Sequence, residues 1–333
     1  MCPPRMLLLV CALALGLKHP SMSGQIPSPT TTPSAFEGPL RRTPPRVQVL
    51  PEPRFGASFF IGGRRVLGFD GGGGGMRRPF LYPVFGPSGQ PLTRMGHPHD
   101  PVSHSHHNSV WIAHHDVEGT DFWADNGGVI ETTQITRFED ADDHAAIEFK
   151  ALWKNREGVP LLQESRRVTL LVRDVSLWRI DLDMEWTCLK TPVTLGATPF
   201  GFLGVRMAKT LGVRDGGGRI LNSEGGLNEV GCFRKPARWV DYSGPVTASE
   251  DEGITLLDHP RNLHHPVEFH VRDDGWMGAA TTFRNPHRIE PRAPLRLKYG
   301  LLVHTSKVGP AEMQAEWERF SQTSFRNFDP QKR

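Results

Sequence analysis

Between residues 178 and 186 the chain alternates strictly. Trp178, Ile180, Leu182, Met184 and Trp186 are apolar, and the residues between them, Arg179, Asp181, Asp183 and Glu185, are charged. A period of two sends successive side chains to opposite faces, so this stretch predicts a strand with one buried and one solvated face. Residues 129–136, 145–153 and 164–172 are its expected antiparallel neighbours. Leu295, Leu297, Tyr299, Leu301 and Val303 repeat the alternation near the C-terminus. Shorter strands are expected at 46–50, 57–61, 66–69 and 79–85. A single helix is expected, at 310–322. Pro310 suits its first turn, and Met313, Trp317 and Phe320 form one apolar stripe. Strands at short spacing without alternating helices predict an all-β fold, a large antiparallel β-sandwich with a short C-terminal helix.

Composition adds three points. The 35 glycines and 29 prolines in 333 residues favour many turns. Net charge is +3, from 39 basic and 36 acidic residues, which gives no field for nucleic acid or a membrane surface. Residues 6–17 (MLLLVCALALGL), behind Arg5, read as a secretory signal, so residues 1–23 are expected to be a signal peptide and the protein exported, to the periplasm or beyond. Residues 24–46, rich in Pro, Ser and Thr, read as a linker, and 47–330 as the β domain. Without the signal, only Cys188 and Cys232 remain, as a disulfide or as two buried thiols. The glycine run 71–75 lacks the Lys-Ser/Thr ending of a phosphate loop and reads as a turn.

The candidate chemistry concentrates at 96–123, GHPHDPVSHSHHNSVWIAHHDVEGTDFW, which holds seven of fifteen histidines. Imidazole titrates near neutral pH and is the commonest metal ligand. In an extended segment His104 and His106 share a face and His107 takes the other, so the pair either ligates a metal or binds substrate hydroxyls. His114 beside Asp116 is either an oriented base or a buried hydrogen-bonded pair. In residues 258–272, DHPRNLHHPVEFHVR, Glu268, His270 and Arg272 share one face of a strand opposite Val267, Phe269 and Val271. Asn262 sits in the same polar run. Arg206 is a candidate for holding hydroxyls or a carboxylate. Glu224 lies in a glycine-rich loop and is a candidate base. Trp239 and Tyr242, on either side of Asp241, are candidate sugar platforms, although Trp239 reads more readily as core, and Trp123 is a candidate substrate contact.

Six ordered segments then resemble one bacterial family: RPFLYPVFGPSGQPLTR, SHSHHNSVWIAHHDVEGTDFW, GFLGVRMA, NSEGG, ARWVDYSG and GITLLDHPRNLHHPVEFHVRDDG. That family is labelled DUF6807 or "methane oxygenase PmoA", and the resemblance spans residues 77–305. Its histidine motif is matched by His104, His106, His107, Trp111, His114, Asp116, Gly119, Asp121, Phe122 and Trp123. Ser103, Ser105, His115 and Phe269 depart from the family's usual residues. The membrane-bound methane monooxygenase subunit of that name has several transmembrane helices, and no stretch here beyond the signal is long enough to be one. The resemblance implies a galactose-mutarotase-like supersandwich, a scaffold of sugar epimerases, lyases and hydrolases.

The expectation is an exported protein acting on a small-molecule or glycan substrate by acid–base chemistry. His106, His107, His270 and Glu224 are the expected catalytic groups. His104, His114, Asp116, Trp123, Arg206, Trp239, Asp241, Asn262 and Arg272 are the expected substrate contacts. This leading reading needs no cofactor and no metal, and the sequence leaves oligomeric state open. The alternatives are a non-catalytic carbohydrate-binding protein and a metal-dependent oxygenase or lyase with His104 and His106 as ligands.

Overall fold

A computed structural model describes residues 43–96 and 104–328. The expected signal segment, the linker up to Arg42, and His97, His99 and Asp100 lie outside the described residues. In chain order the strands are β1 (Val47–Glu52), β2 (Gly56–Ile61), β3 (Arg64–Asp70), β4 (Phe80–Val84), β5 (Val110–His114), β6 (Val129–Asp140), β7 (His144–Lys154), β8 (Pro160–Asp174), β9 (Leu177–Cys188) and β10 (Val193–Leu195). They continue as β11 (Gly201–Arg206), β12 (Arg219–Asn222), β13 (Lys235–Pro236), β14 (Trp239–Pro245), β15 (Asp251–Asp258), β16 (Glu268–Arg272), β17 (Trp276–Ala280), β18 (His287–Ile289) and β19 (Leu295–Thr305). The helices are α1 (Asn228–Cys232) and α2 (Pro310–Ser321). No helix among the described residues is long and apolar enough to cross a membrane.

The strands form two large antiparallel sheets and a two-stranded ribbon, β10-β18. One sheet runs β1-β2-β3-β4-β5-β11-β17-β16-β13, and the other β12-β14-β15-β19-β9-β8-β7-β6. Aromatic contacts join their inner faces. Phe69 of β3 lies 4.8 Å from Phe149 of β7, and Phe202 of β11 lies 4.6 Å from Trp186 of β9. These rings are almost wholly buried, which makes large-to-small replacement there worth roughly 3–5 kcal/mol. The expected β-sandwich and its strand neighbours are thus observed: β9 pairs with β8 and β19, and β8 with β7.

One expectation needs correcting. The charged face of β9 is not solvated. Arg179, Asp181 and Asp183 are each at most 6% exposed. The apolar stripe of α2, with Met313 and Phe320 buried, packs on Leu177, Trp239, Leu257 and Leu302. The segment after α2 continues over the same face, where Lys298 Nζ donates to the Ser324 carbonyl and the Arg326 amide donates to Asp183. Charges covered in this way must be paired. Arg179 Nε donates to Asp181 at 2.5 Å, Lys298 meets Asp183 at 3.0 Å, and Glu148 takes both Arg167 and Arg326. Cys188 and Cys232 are both buried free thiols, so the disulfide alternative is not realised.

Candidate functional site

Four neighbouring strands from three separate parts of the chain, β5, β11 and the β16-β17 hairpin, bring the candidate residues together. Their registers align Trp111, Gly204, Gly278 and His270 in one row across the sheet, and Arg206, Trp276 and Arg272 in the next row on the same face. The alternate positions Leu203, Val205, Val271 and Met277 are fully buried in the core. The two glycines in the row are required by their neighbours. A Cβ at Gly204 would lie 2.5 Å from Trp111 Cζ2, and one at Gly278 would lie 2.7 Å from Trp276 Cζ3. Both indoles therefore lie flat across bare backbone.

Above this floor is a cavity of about 410 Å³, within the size range of small-ligand sites. Its wall includes His104, His106, His107, His115, Trp123, Phe200, His270, Arg272 and Trp276, with Asp121 and Asp274 as its carboxylates. His107 is stacked between His104 (centroids 4.8 Å, 14°) and Trp111 (4.9 Å, 23°), with His106 edge-on at 4.6 Å. His270 sits 4.5 Å from Trp276, between Phe200 and Phe233.

Burial, reinforced by the positive charge of Arg78, pushes His106 down to about 4. Burial, with Arg272 and Arg234 nearby, does the same to His270, also to about 4. His107 is pushed lower still, again chiefly by burial. All three are therefore neutral imidazoles at pH 7, able to accept a proton or bind a hydroxyl. Nδ1 of His107 and Nδ1 of His270 are buried without a hydrogen-bond partner among the described residues. The carboxylates are held. Asp274 accepts from Arg206 Nη1 at 3.1 Å and lies 3.7 Å from His104 Nδ1. Asp121 accepts from the amides of Trp123 and Ala124 and lies 3.7 Å from His115 Nε2.

One fully buried cation ties two of the walls. Arg78 Nη1 donates to the His106 carbonyl at 2.9 Å and to Asn108 Oδ1 at 2.6 Å. Its Nη2 donates to the carbonyls of Trp123 at 2.8 Å and Ala124 at 3.1 Å. Burial lowers Arg78 to about 10, so it remains charged at neutral pH.

Of the residues expected from sequence, His104, His106, His107, Trp123, His270 and Arg272 line this cavity. Arg206 supports it from behind through Asp274. The others lie elsewhere. Glu224 is a surface residue, its side chain 58% exposed and 3.4 Å from Arg238, because its glycine-rich turn closes on Asn222. His114 points to the opposite face of β5, where Nε2 meets Thr282 Oγ1 at 2.7 Å. Its Nδ1 accepts from the backbone amide of Asp116, and the Asp116 carboxylate instead takes the Gly119 amide. His114 is thus buried and structural, bonded to the backbone of a half-buried Asp116, with no carboxylate orienting the ring. Trp239 is core under α2, bonded to Gln314. Asp241 is fully buried against His304, Ser243 and Thr255. Asn262 clamps Asp258 to the backbone of Lys298.

Sequence reasoning missed Arg78, Phe200, Asp274 and Trp276. Asp274 and Trp276 had a usable signal. Asp274-Gly275 is a hairpin-turn pair, and folding the chain there lays Trp276 opposite Arg272. Arg78 had none, because its partners are carbonyls of two distant loops.

Among the described residues no three His, Cys, Asp or Glu side chains are arranged to hold a metal ion. His104 and His106 gain no third ligand from that set.

Comparison with solved structures finds heparan sulfate lyase HepC from Pedobacter heparinus at 7% identity and a TM-score of 0.32, over 75% of this chain and 30% of that one. It also finds the mutarotase candidate YeaD of Salmonella typhimurium at 10% identity and a TM-score of 0.32, over 77% of this chain and 90% of that one. The chain thus spans about 30% of the lyase's length. No curated protein matches it. The family model of DUF6807, a family of unknown function, matches residues 58–318, most of the folded region and every cavity residue named above, and the chain belongs to that family.

Proposed function

We propose that the protein is exported, that its cavity binds a carbohydrate, and that it acts on that sugar by general acid–base chemistry. The observation that carries this reading is the union, in one cavity, of flat aromatic surfaces with imidazoles held neutral beside two carboxylates. Trp123 and Trp276 line the cavity and supply apolar surface for the C–H side of a sugar ring. His106 and His270 are in the base form at pH 7 and accept hydrogen bonds from sugar hydroxyls. Burial makes them weak bases in the empty cavity, so proton removal by either ring requires a bound ligand whose charge raises it toward neutral pH. With Glu224 on the surface, Asp274 and Asp121 become the carboxylates in play.

The test uses His106→Gln and His270→Gln with a panel of glycans read by mass spectrometry. Wild type converts at least one glycan. Each variant loses turnover by a factor of about 10² or more while its Tm stays within a few degrees. Wild-type turnover declines as pH falls through about 4, where both rings protonate. Variants that keep full turnover would remove both histidines from the chemistry.

A second reading, binding without turnover, is favoured by the engagement of both carboxylates with fixed donors. Retained, unaltered glycan from every incubation would select it. Export is supported by the apolar run at 6–17 behind Arg5. A full-length, unprocessed N-terminus in the cytoplasmic fraction would count against it.

A further inference from the structure

The geometry points to a sugar that carries a carboxylate, with Arg272 as the group that recognises it. This rests on the carbohydrate reading above and narrows it to one substrate class. Arg272 lies two residues from His270 on β16, so both project from the same face into the cavity. Its guanidinium is held from two sides. Nε lies 3.0 Å from Glu229 Oε1, and Cζ stands 5.5 Å from the centroid of the Phe233 ring. No hydrogen bond from a described residue claims its terminal nitrogens, and the side chain, 43% exposed overall, is part of the cavity wall. What remains is the paired Nη edge, already oriented. That edge matches a planar carboxylate with two parallel bonds.

The local charge agrees. A second guanidinium, Arg234, lies over the same Phe233 ring at 4.9 Å. Two cations therefore share one phenyl ring, with Glu229 as the paired carboxylate. The cavity acid Asp274 is already compensated by Arg206. A neutral sugar would leave the Nη edge of Arg272 to water. A sugar acid would fill it while its ring rests against Trp276 and its neighbouring C–H and O–H groups face His270.

The test is titration calorimetry of the whole folded protein with matched pairs: glucuronate against glucose, galacturonate against galactose, and mannuronate against mannose. In at least one pair the acid binds about tenfold or more tightly than its neutral counterpart, the size expected of one fork-shaped charged contact. The methyl ester of that acid falls back to the neutral sugar's affinity, a comparison that needs no variant. Arg272→Gln removes the preference, bringing the acid's affinity to that of its neutral counterpart in the same variant, and Arg272→Lys restores part of it. Neutral sugars that bind as tightly as their acids, with Arg272→Gln indifferent, overturn this inference and leave the carbohydrate reading intact. Failure of every acid and every neutral sugar to bind overturns both.

Discussion

Arg78→Met is the most informative single change for testing how the cavity is held. Arginine at this position is fully buried and makes four hydrogen bonds, to three carbonyls and one amide oxygen, from two separate loops. Hydrogen bonds from a charged donor contribute roughly 1.5–3 kcal/mol each, and desolvation of the buried guanidinium offsets several kcal/mol of their sum, so the four together are worth about 4–6 kcal/mol. Methionine is of similar length and recovers about 1 kcal/mol of apolar burial. It has no donor, however, and the carbonyls of His106, Trp123 and Ala124 lose their partner. The expected net loss is about 3–5 kcal/mol, the range in which breaking a buried charged network usually falls. Urea unfolding of wild type and variant measures this directly. The 104–108 and 121–125 loops should also separate, so ligand affinity at the cavity should drop more than the global stability change alone predicts. Arg78→Lys should sit between the two, keeping the charge but making fewer of the bonds. A variant within about 1 kcal/mol of wild type, with its ligand affinity unchanged, would refute the view that this guanidinium fastens the walls.

Burial alone would lower the pKa of His304, but the charge and hydrogen bond of Asp241, 2.8 Å away, more than reverse this, and the net shift is upward. The pair's contribution to stability is therefore fully present below the unfolded histidine value of about 6.5 and is lost as pH rises through the higher folded value. Urea unfolding at a series of pH values should show this alkaline decline in wild type and not in His304→Gln; identical limbs would contradict it. Glu224→Gln should leave glycan turnover and binding at the wild-type level, because that side chain is on the surface away from the cavity; loss of turnover in that variant would reinstate it as a base.

Much of the sandwich was legible because its strands are amphipathic in the plain sense. β9 and β19 alternate over nine or more residues, and α2 shows its stripe at Met313, Trp317 and Phe320. The charged face of β9 was misread because periodicity reports which residues share a face, not what later covers it. The cover is α2 and the segment after it, more than a hundred residues on. The histidine half of the cavity was visible as composition. The other half was not, because β17 reads WMGAA, with no alternation to follow, and enters the site only through pairing with β11 and β16. Glu224 failed for the complementary reason: a glycine-rich loop marks a turn, and nothing local says which way the turn faces.

The glycines beneath Trp111 and Trp276 have a consequence for how relatives of this protein diverge. Trp276, which lines the cavity, rests on bare main chain at Gly278, and Trp111 rests in the same way at Gly204 beneath the stacked His107. A side chain added at position 278 would push Trp276 toward the space the ligand occupies, and one at 204 would do so indirectly, through Trp111 and the His107 stacked on it. New preferences among descendants must therefore arise at the rim, where loops can lengthen or change sign without disturbing the paving underneath.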